Sequence, residues 1–147
     1  MKVTIISVGK AHDKTLKDSI LEYTKRSYGT LSTEWMLLPT SSIDSEAKAI
    51  LAVLKKDDYV ILLDEEGSEM TNITLSELIA EKMNDSTRRV VFIIGGAYGV
   101  NKEIQERANY IWRLSKLVFP HMLVRLILIE QLYRSVSIIQ GGKYHHE

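Results

Sequence analysis

Cysteine is absent from all 147 residues, which excludes disulfides, thiolate zinc centres, iron–sulfur clusters and cysteine nucleophiles. Proline is scarce, with two residues, and no stretch has the composition of a linker. Long apolar runs are also missing. The longest, from Met122 to Ile129, is interrupted by Arg125 and falls well short of the roughly 20 residues that span a bilayer. The opening MKVTIISVGK holds only a short apolar run and no small-residue cleavage site, so it reads as a first strand and not as a secretion signal. A soluble, cytoplasmic protein without membrane contact is expected. An excess of one charge is lacking as well, with 19 basic residues against 19 acidic ones, which argues against a non-specific nucleic-acid binder.

What is present is the composition of an ordinary folded protein, 45% hydrophobic and 26% charged, and one domain covering residues 1–147 is expected. The balanced charge is unevenly spread. Residues 1–106 carry 13 Lys and Arg against 17 Asp and Glu, whereas residues 107–147 carry 6 against 2. His121, His145 and His146 lie in that basic end, which makes it the better candidate for an RNA contact.

Short β-branched runs alternate with helical patterns. The runs predict strands over 3–8, 33–38, 59–63, 89–94 and 110–114, and helices over 14–27, 45–56, 75–84, 101–108 and 121–140. Thr74 is the expected N-cap of the third helix, with Glu77 three residues on, and Pro120 is expected at the first position of the last one. Strand–helix alternation predicts an α/β fold with a parallel-rich sheet and helices on both faces. The runs at 59–63 and 90–94 are continuously apolar and belong in the middle of that sheet. Ligands of such sheets bind beyond the carboxyl ends of the strands, so the loops after Leu63, Ile94 and Leu114 should form a site. The last helix is apolar almost all round, which predicts that a second copy covers part of it in a homodimer.

Four constellations bear on chemistry. Gly95-Gly96-Ala97-Tyr98-Gly99 follows a buried strand and precedes a helix, yet it lacks both the dinucleotide G-x-G-x-x-G spacing and the Gly-Lys-Ser/Thr of a P-loop, so by itself it marks a tight turn. Asp64-Glu65-Glu66 stand beyond a strand end, but adjacent residues point in different directions, and solvated turn residues leading into Gly67 are expected in place of a metal site. His145-His146 have no partner at ligand spacing, so no metal is expected. Tyr133, Arg134 and Tyr144 could stack on an extruded base or hold phosphate, while Glu130 and Arg134, four apart, could form a surface ion pair and Arg125 could pair inside the core.

Taken in order, Ile94-Gly95-Gly96-Ala97-Tyr98-Gly99, then Leu114 to His121, then Leu123-Val124-Arg125, then Ile129-Glu130-Gln131-Leu132-Tyr133-Arg134, then Gly142-Lys143-Tyr144-His145 closely resemble the knotted SPOUT RNA methyltransferases of the RlmH type. The opening ten residues and Glu22-Tyr23-Thr24-Lys25-Arg26 extend the resemblance over the whole chain. The resemblance implies a deep C-terminal trefoil knot, an exception to the usual absence of knots, and a homodimer. It further implies S-adenosylmethionine as methyl donor, held by Leu63, Gly95, Leu114, Ser115, Lys116, Leu117, Val118 and Phe119, without a metal. The implied substrate is a pseudouridine of 23S ribosomal RNA in the assembled ribosome, methylated at N3. Tyr144 and His145 are then expected beside the target base, with His145 as proton acceptor, and Arg125, Arg134 and His146 as RNA contacts. One departure stands out: His146 and Glu147 follow Tyr144-His145 where the family carries Arg or Lys, so a fixed positive charge is replaced by one present only on protonation. Two other classes share some of these features. A nucleotide-binding or flavodoxin-like module would keep the glycine loop without a partnered last helix, and a ribosome-binding factor without catalysis would not need His145.

Overall fold

A computed structural model describes residues 1–146, so the expectation attached to Glu147 lies outside the described residues. Five strands form one parallel sheet: β1 (Lys2–Val8), β2 (Ser32–Leu38), β3 (Tyr59–Ser68), β4 (Arg89–Ile94) and β5 (Tyr110–Trp112), in the order β2-β1-β4-β3-β5. Between and after them come α1 (Lys17–Ser27), α2 (Ile43–Val53), α3 (Asn72–Asn84), α4 (Lys102–Arg107) and α5 (His121–Ile139). No helix among the described residues is long and apolar enough to cross a membrane.

The continuously apolar runs explain the layering. On β1 and β4, successive side chains point to opposite faces, and both faces are covered. Val3, Ile5, Val90, Phe92 and Ile94 pack with Ile20 of α1, Leu75 and Ile79 of α3, and Leu128, Ile129 and Leu132 of α5. On the other face Ile6, Val8, Val91 and Ile93 pack with Ala47 and Ile50 of α2 and Ile104 of α4. Truncating one such buried residue to Ala costs about 2–5 kcal/mol, which is why β1 and β4 tolerate no polar break on these positions.

Local signals set the ends of the helices. Thr71, not Thr74, caps α3: its Oγ1 accepts from the Thr74 amide at 3.0 Å, so Thr74 lies inside the first turn. Pro120 is the N-cap of α5, and its carbonyl accepts from the Leu123 and Val124 amides. Beyond the expected strand end at Leu63, β3 continues to Ser68 through a register break: Leu63 and Ser68 both pair with Trp112. Asp64, Glu65 and Glu66 therefore sit on a bulged strand and not in a free turn.

α5 lies between α1 and α3 on one sheet face. Three of its sides are thus covered within the chain. Leu123, Ile127, Glu130, Arg134 and Ile138, spaced to fall on one line, are only half-buried.

Two guanidinium groups tie the layers together. Arg125 is fully buried. Its Nε donates to Ser7 Oγ at 2.7 Å, its Nη1 to the Ala11 carbonyl at 2.9 Å and to His12 Nδ1 at 3.3 Å, and its Nη2 to the Val8 and Gly9 carbonyls at 3.0 and 2.9 Å. A guanidinium has five N–H donors, and all five are matched. Gly9, at φ +116°, is the required residue there, because a Cβ would sit 3.1 Å from Arg125 Nη2 and 2.9 Å from Met122 Cε. At the other end of the sheet, Arg89 grips buried Asp58 through Nε at 2.9 Å and through Nη2, which also reaches the Val53 carbonyl. Burial alone would raise the Asp58 pKa, but the bonds from Arg89 and the Lys55 amide carry it below its ordinary value of 3.8.

Replacing Arg125 by Lys keeps the charge but offers three donors where five are needed. The variant should lose about 2–3 kcal/mol, measured by chemical denaturation; an unchanged midpoint would contradict the assignment. Asp58→Asn leaves Arg89 buried without its counter-charge and should cost about 3–5 kcal/mol. Because the folded Asp58 pKa is depressed, the stability from this pair is complete above pH 3.8 and is lost as pH falls through the lowered value. Acid titrations of wild type and Asp58→Asn should therefore converge below that point.

Candidate functional site

A cavity of about 1010 Å³ opens at the carboxyl ends of the strands, where a doubly wound sheet leaves room between loops that turn to opposite faces. Three segments wall it. The first is the β3 bulge from Leu63 to Glu66. Gly67 allows this bulge to lie directly on β5, since a Cβ would sit 2.5 Å from the Ile111 carbonyl oxygen. The second is the turn after β4, closed by a bond from the Gly99 amide to the Gly96 carbonyl at 3.0 Å. The third is the connection from Trp112 to the start of α5.

Of the eight residues expected to hold a ligand, Leu63, Gly95, Leu114, Ser115, Leu117, Val118 and Phe119 line this cavity. Lys116 is exposed on the same loop and is not part of the lining. Ser115 Oγ accepts from the Leu117 amide at 3.0 Å and fixes the loop turn. Leu117, Val118 and Tyr98 are 71%, 74% and 89% exposed. They are more exposed than any other large hydrophobic residue of the described chain, and all three stand on this one rim. Apolar exposure of that kind marks a surface that takes up a partner or ligand.

Trp112 and Arg113, which sequence reasoning passes over, and His121, which it places only in the basic end, also line the cavity. The Trp112 indole Nε1 and the Arg113 Nε are buried without an acceptor among the described residues, and a buried donor left unpaired is costly unless something else bonds to it. His121 stands in the first turn of α5; burial, then the nearby Arg125 charge, lower its pKa despite an opposing effect of Glu46. It is therefore neutral at physiological pH. His12, against Arg125 and Trp35, is lowered by burial and by Arg125 in the same way. Periodicity carries no sign of these residues, whose roles depend on where α5 crosses the ends of the strands.

The C-terminal candidates gather elsewhere. Glu130 Oε1 accepts from Arg134 Nη2 at 2.6 Å, Arg134 Nε at 3.1 Å and Tyr144 Oη at 3.1 Å, while Gln131 Nε2 donates to Oε2 at 2.7 Å. Tyr23 Oη lies 3.2 Å from Tyr144 Oη. The bond with Tyr23, then burial, then Glu130 push the Tyr144 pKa upward, so its phenol keeps its proton at neutral pH. Arg134 Nη1 reaches His145 Nδ1 at 3.2 Å, and His146 is exposed. Beside this cluster Arg26, Lys143, Tyr133 and Tyr144 frame a smaller hollow of about 410 Å³.

The structure therefore brings Arg134, Tyr144 and His145 together but does not bring them to the cavity of the same chain. Val124 is the last residue of α5 to line that cavity, and ten residues separate it from Arg134, about 15 Å along a helix. Arg125 corrects the expectation of an RNA contact: with its guanidinium buried and every donor spent inside the chain, no face is left for a phosphate. Nor does it pair with a carboxylate among the described residues. The expected surface ion pair of Glu130 and Arg134 is real but largely buried, with side chains 18% and 25% exposed. Among the described residues no three His, Cys, Asp or Glu side chains cluster as a metal site.

The chain is similar to known proteins over its full extent. A family described as "Predicted SPOUT methyltransferase" matches residues 1–145. The ribosomal RNA large subunit methyltransferase H of Cytophaga hutchinsonii is 39% identical, covering 99% of this chain and 100% of the relative. The protein of the same name from Bacteroides thetaiotaomicron is 34% identical, with 100% of each covered. A crystal structure from Bacillus anthracis, provisionally named an RNA methyltransferase, superposes with a TM-score of 0.54 at 15% identity over 92% of this chain and 94% of that one, which supports the fold alone. With a family match over nearly every residue and relatives this similar end to end, the chain belongs to the SPOUT methyltransferase family.

Proposed function

We propose that this protein, acting as one domain and as a homodimer, transfers a methyl group from S-adenosylmethionine to N3 of a pseudouridine in 23S ribosomal RNA of the assembled ribosome, in the cytoplasm. The observation that carries the reading is the cavity walled by three strand-end loops, with seven of the eight expected donor-binding residues in its lining. The residues fit the donor. Leu63, Leu114, Leu117, Val118 and Phe119 offer apolar walls, the glycine turn at 95–99 offers backbone amides and carbonyls, and the unpaired Trp112 Nε1–H awaits an acceptor. Lys116 would act through its loop backbone only. When bound, the donor supplies an electrophilic methyl on a sulfonium centre. The chain's part is to align the base with that methyl and lower the cost of removing the N3 proton. The trefoil knot belongs to the same reading, and the three loops crowded around one cavity support it.

The separation of Tyr144 and His145 from the cavity supports a site shared between two copies. In a two-fold dimer with α5 antiparallel to its counterpart, the C-terminal tail of one copy would stand over the cavity of the other. The half-buried line of Leu123, Ile127 and Ile138 offers the apolar contact such a pairing needs. Arg26, Lys143 and exposed His146 would then be the RNA-facing charges, with Arg134 retained inside the tail cluster.

Labelled S-adenosylmethionine should transfer its methyl to N3 of a large-subunit pseudouridine when the protein is mixed with intact ribosomes from cells lacking the enzyme, and less to isolated subunits or naked RNA. No label despite measured donor binding would contradict the reading. Leu117→Asp, at an exposed position that the core does not use, should leave the melting temperature unchanged. It should weaken donor binding about 10- to 100-fold, the worth of one buried leucine, as read by calorimetry.

A further inference from the structure

We infer that His145 acts in this transfer as a hydrogen-bond donor through Nε2–H, held in that tautomer by Arg134, and not as the base that takes the N3 proton; the inference rests on the methyl-transfer reading above. The contact between Arg134 Nη1 and His145 Nδ1 is 3.2 Å. A guanidinium carries only N–H donors and is never deprotonated in a protein, so at this distance Nδ1 must accept. A protonated imidazole would instead turn an N–H of its own against the arginine. The Nδ1 lone pair is thereby engaged, which leaves Nε2 as the nitrogen that carries the ring proton.

Arg134 cannot easily turn away. Its Nε and Nη2 are fixed on Glu130 Oε1 at 3.1 and 2.6 Å, and its guanidinium lies 4.8 Å from the centre of the Tyr144 ring. Glu130 is held in turn by Gln131, whose Oε1 accepts from Asn72 Nδ2 of α3. The tail that carries His145 is pinned beside it: Tyr144 Oη donates to Glu130, and the Tyr144 amide donates to Ser137 Oγ at 3.4 Å. Glu130 and Arg134 are on this view positioning residues, and Tyr144 is the anchor of the tail.

The chemistry has a use for a donor beside the base. N3 of a pseudouridine lies between two ring carbonyls, and once its proton passes to solvent water the negative charge spreads onto those oxygens. An Nε2–H aimed at one of them stabilises the anion and the transition state that follows. N3 then uses its freed electron pair to bond the methyl carbon, the carbon–sulfur pair returns to sulfur, and a neutral thioether is released. No protein base is consumed in that balance.

Two measurements test this on the full-length protein. Nitrogen-15 NMR of histidine-labelled protein should show His145 with an unprotonated Nδ1 and a protonated Nε2, a readout that needs no substrate. His145→Gln keeps an N–H at the Nε2 position and has no basic nitrogen; it should stay within about tenfold of wild type in kcat, whereas His145→Ala should lose about 10²–10³. The Nδ1–H tautomer, or a Gln variant as slow as the Ala variant, would overturn the donor role. If the wild-type protein transfers no methyl at all, the functional reading itself falls and the donor role with it, while the NMR result still decides whether Arg134 holds the ring as inferred.

Discussion

The arrangement of the cavity depends on one buried cation. Arg125 enters the interior without a carboxylate beside it, which would be prohibitive if any of its donors were left bare. It is tolerable because Ser7, Val8, Gly9, Ala11 and His12 each present an acceptor. The bonds run between residues over 110 positions apart in the chain, and they fasten the first turns of α5 to the end of β1. His121 and Val124 flank Arg125 on α5 and line the cavity, so what fixes Arg125 also fixes one wall of the site. Burial, and after it the same charge, lowers the pKa of His12 and of His121, and His121 is the one of the two that lines the cavity.

From that anchor α5 leads away from the cavity, and the chemistry divides along its length. Its first turns belong to the loops that would enclose the methyl donor. Its later turns carry Glu130 and Arg134, which hold Tyr144 and His145. A helix is too stiff to fold one end onto the other, so the two groups meet only if a second copy supplies what the first cannot reach. The half-buried outer line of α5, apolar at Leu123, Ile127 and Ile138, has the character expected of a surface that pairs with its own kind.

Much of the fold is legible in the residues, because buried parallel strands need uninterrupted apolar runs and crossover helices need one apolar stripe; 59–63 and 89–94 could hardly be anything else. The cap of α3 is not legible in the sequence, because Thr71 and Thr74 both precede the apolar run and only backbone geometry decides between them. The bulge at 64–67 was read as a turn because pairing with β5 across a register break leaves no periodic trace. The cavity-lining loops were found from strand ends together with resemblance. Arg125 was placed on RNA because an arginine among apolar residues looks the same in sequence whether its acceptors are phosphates or distant carbonyls. Trp112 went unnoticed for the related reason that an unpaired indole donor is a property of its surroundings.

The central claim is that two copies of the chain build one site. Leu117→Asp weakens donor binding in the cavity of a copy and His145→Ala disables its tail, so with donor held near the wild-type Kd each variant alone should have little activity on ribosomes. Mixed and allowed to exchange subunits, they should form dimers in which one site combines an intact cavity with an intact tail, and activity should recover to about a quarter of wild type, since half the dimers are mixed and each has one working site. If the mixture stays as inactive as its components, although mass spectrometry shows the mixed dimer, cavity and tail act within one chain and the shared site is wrong.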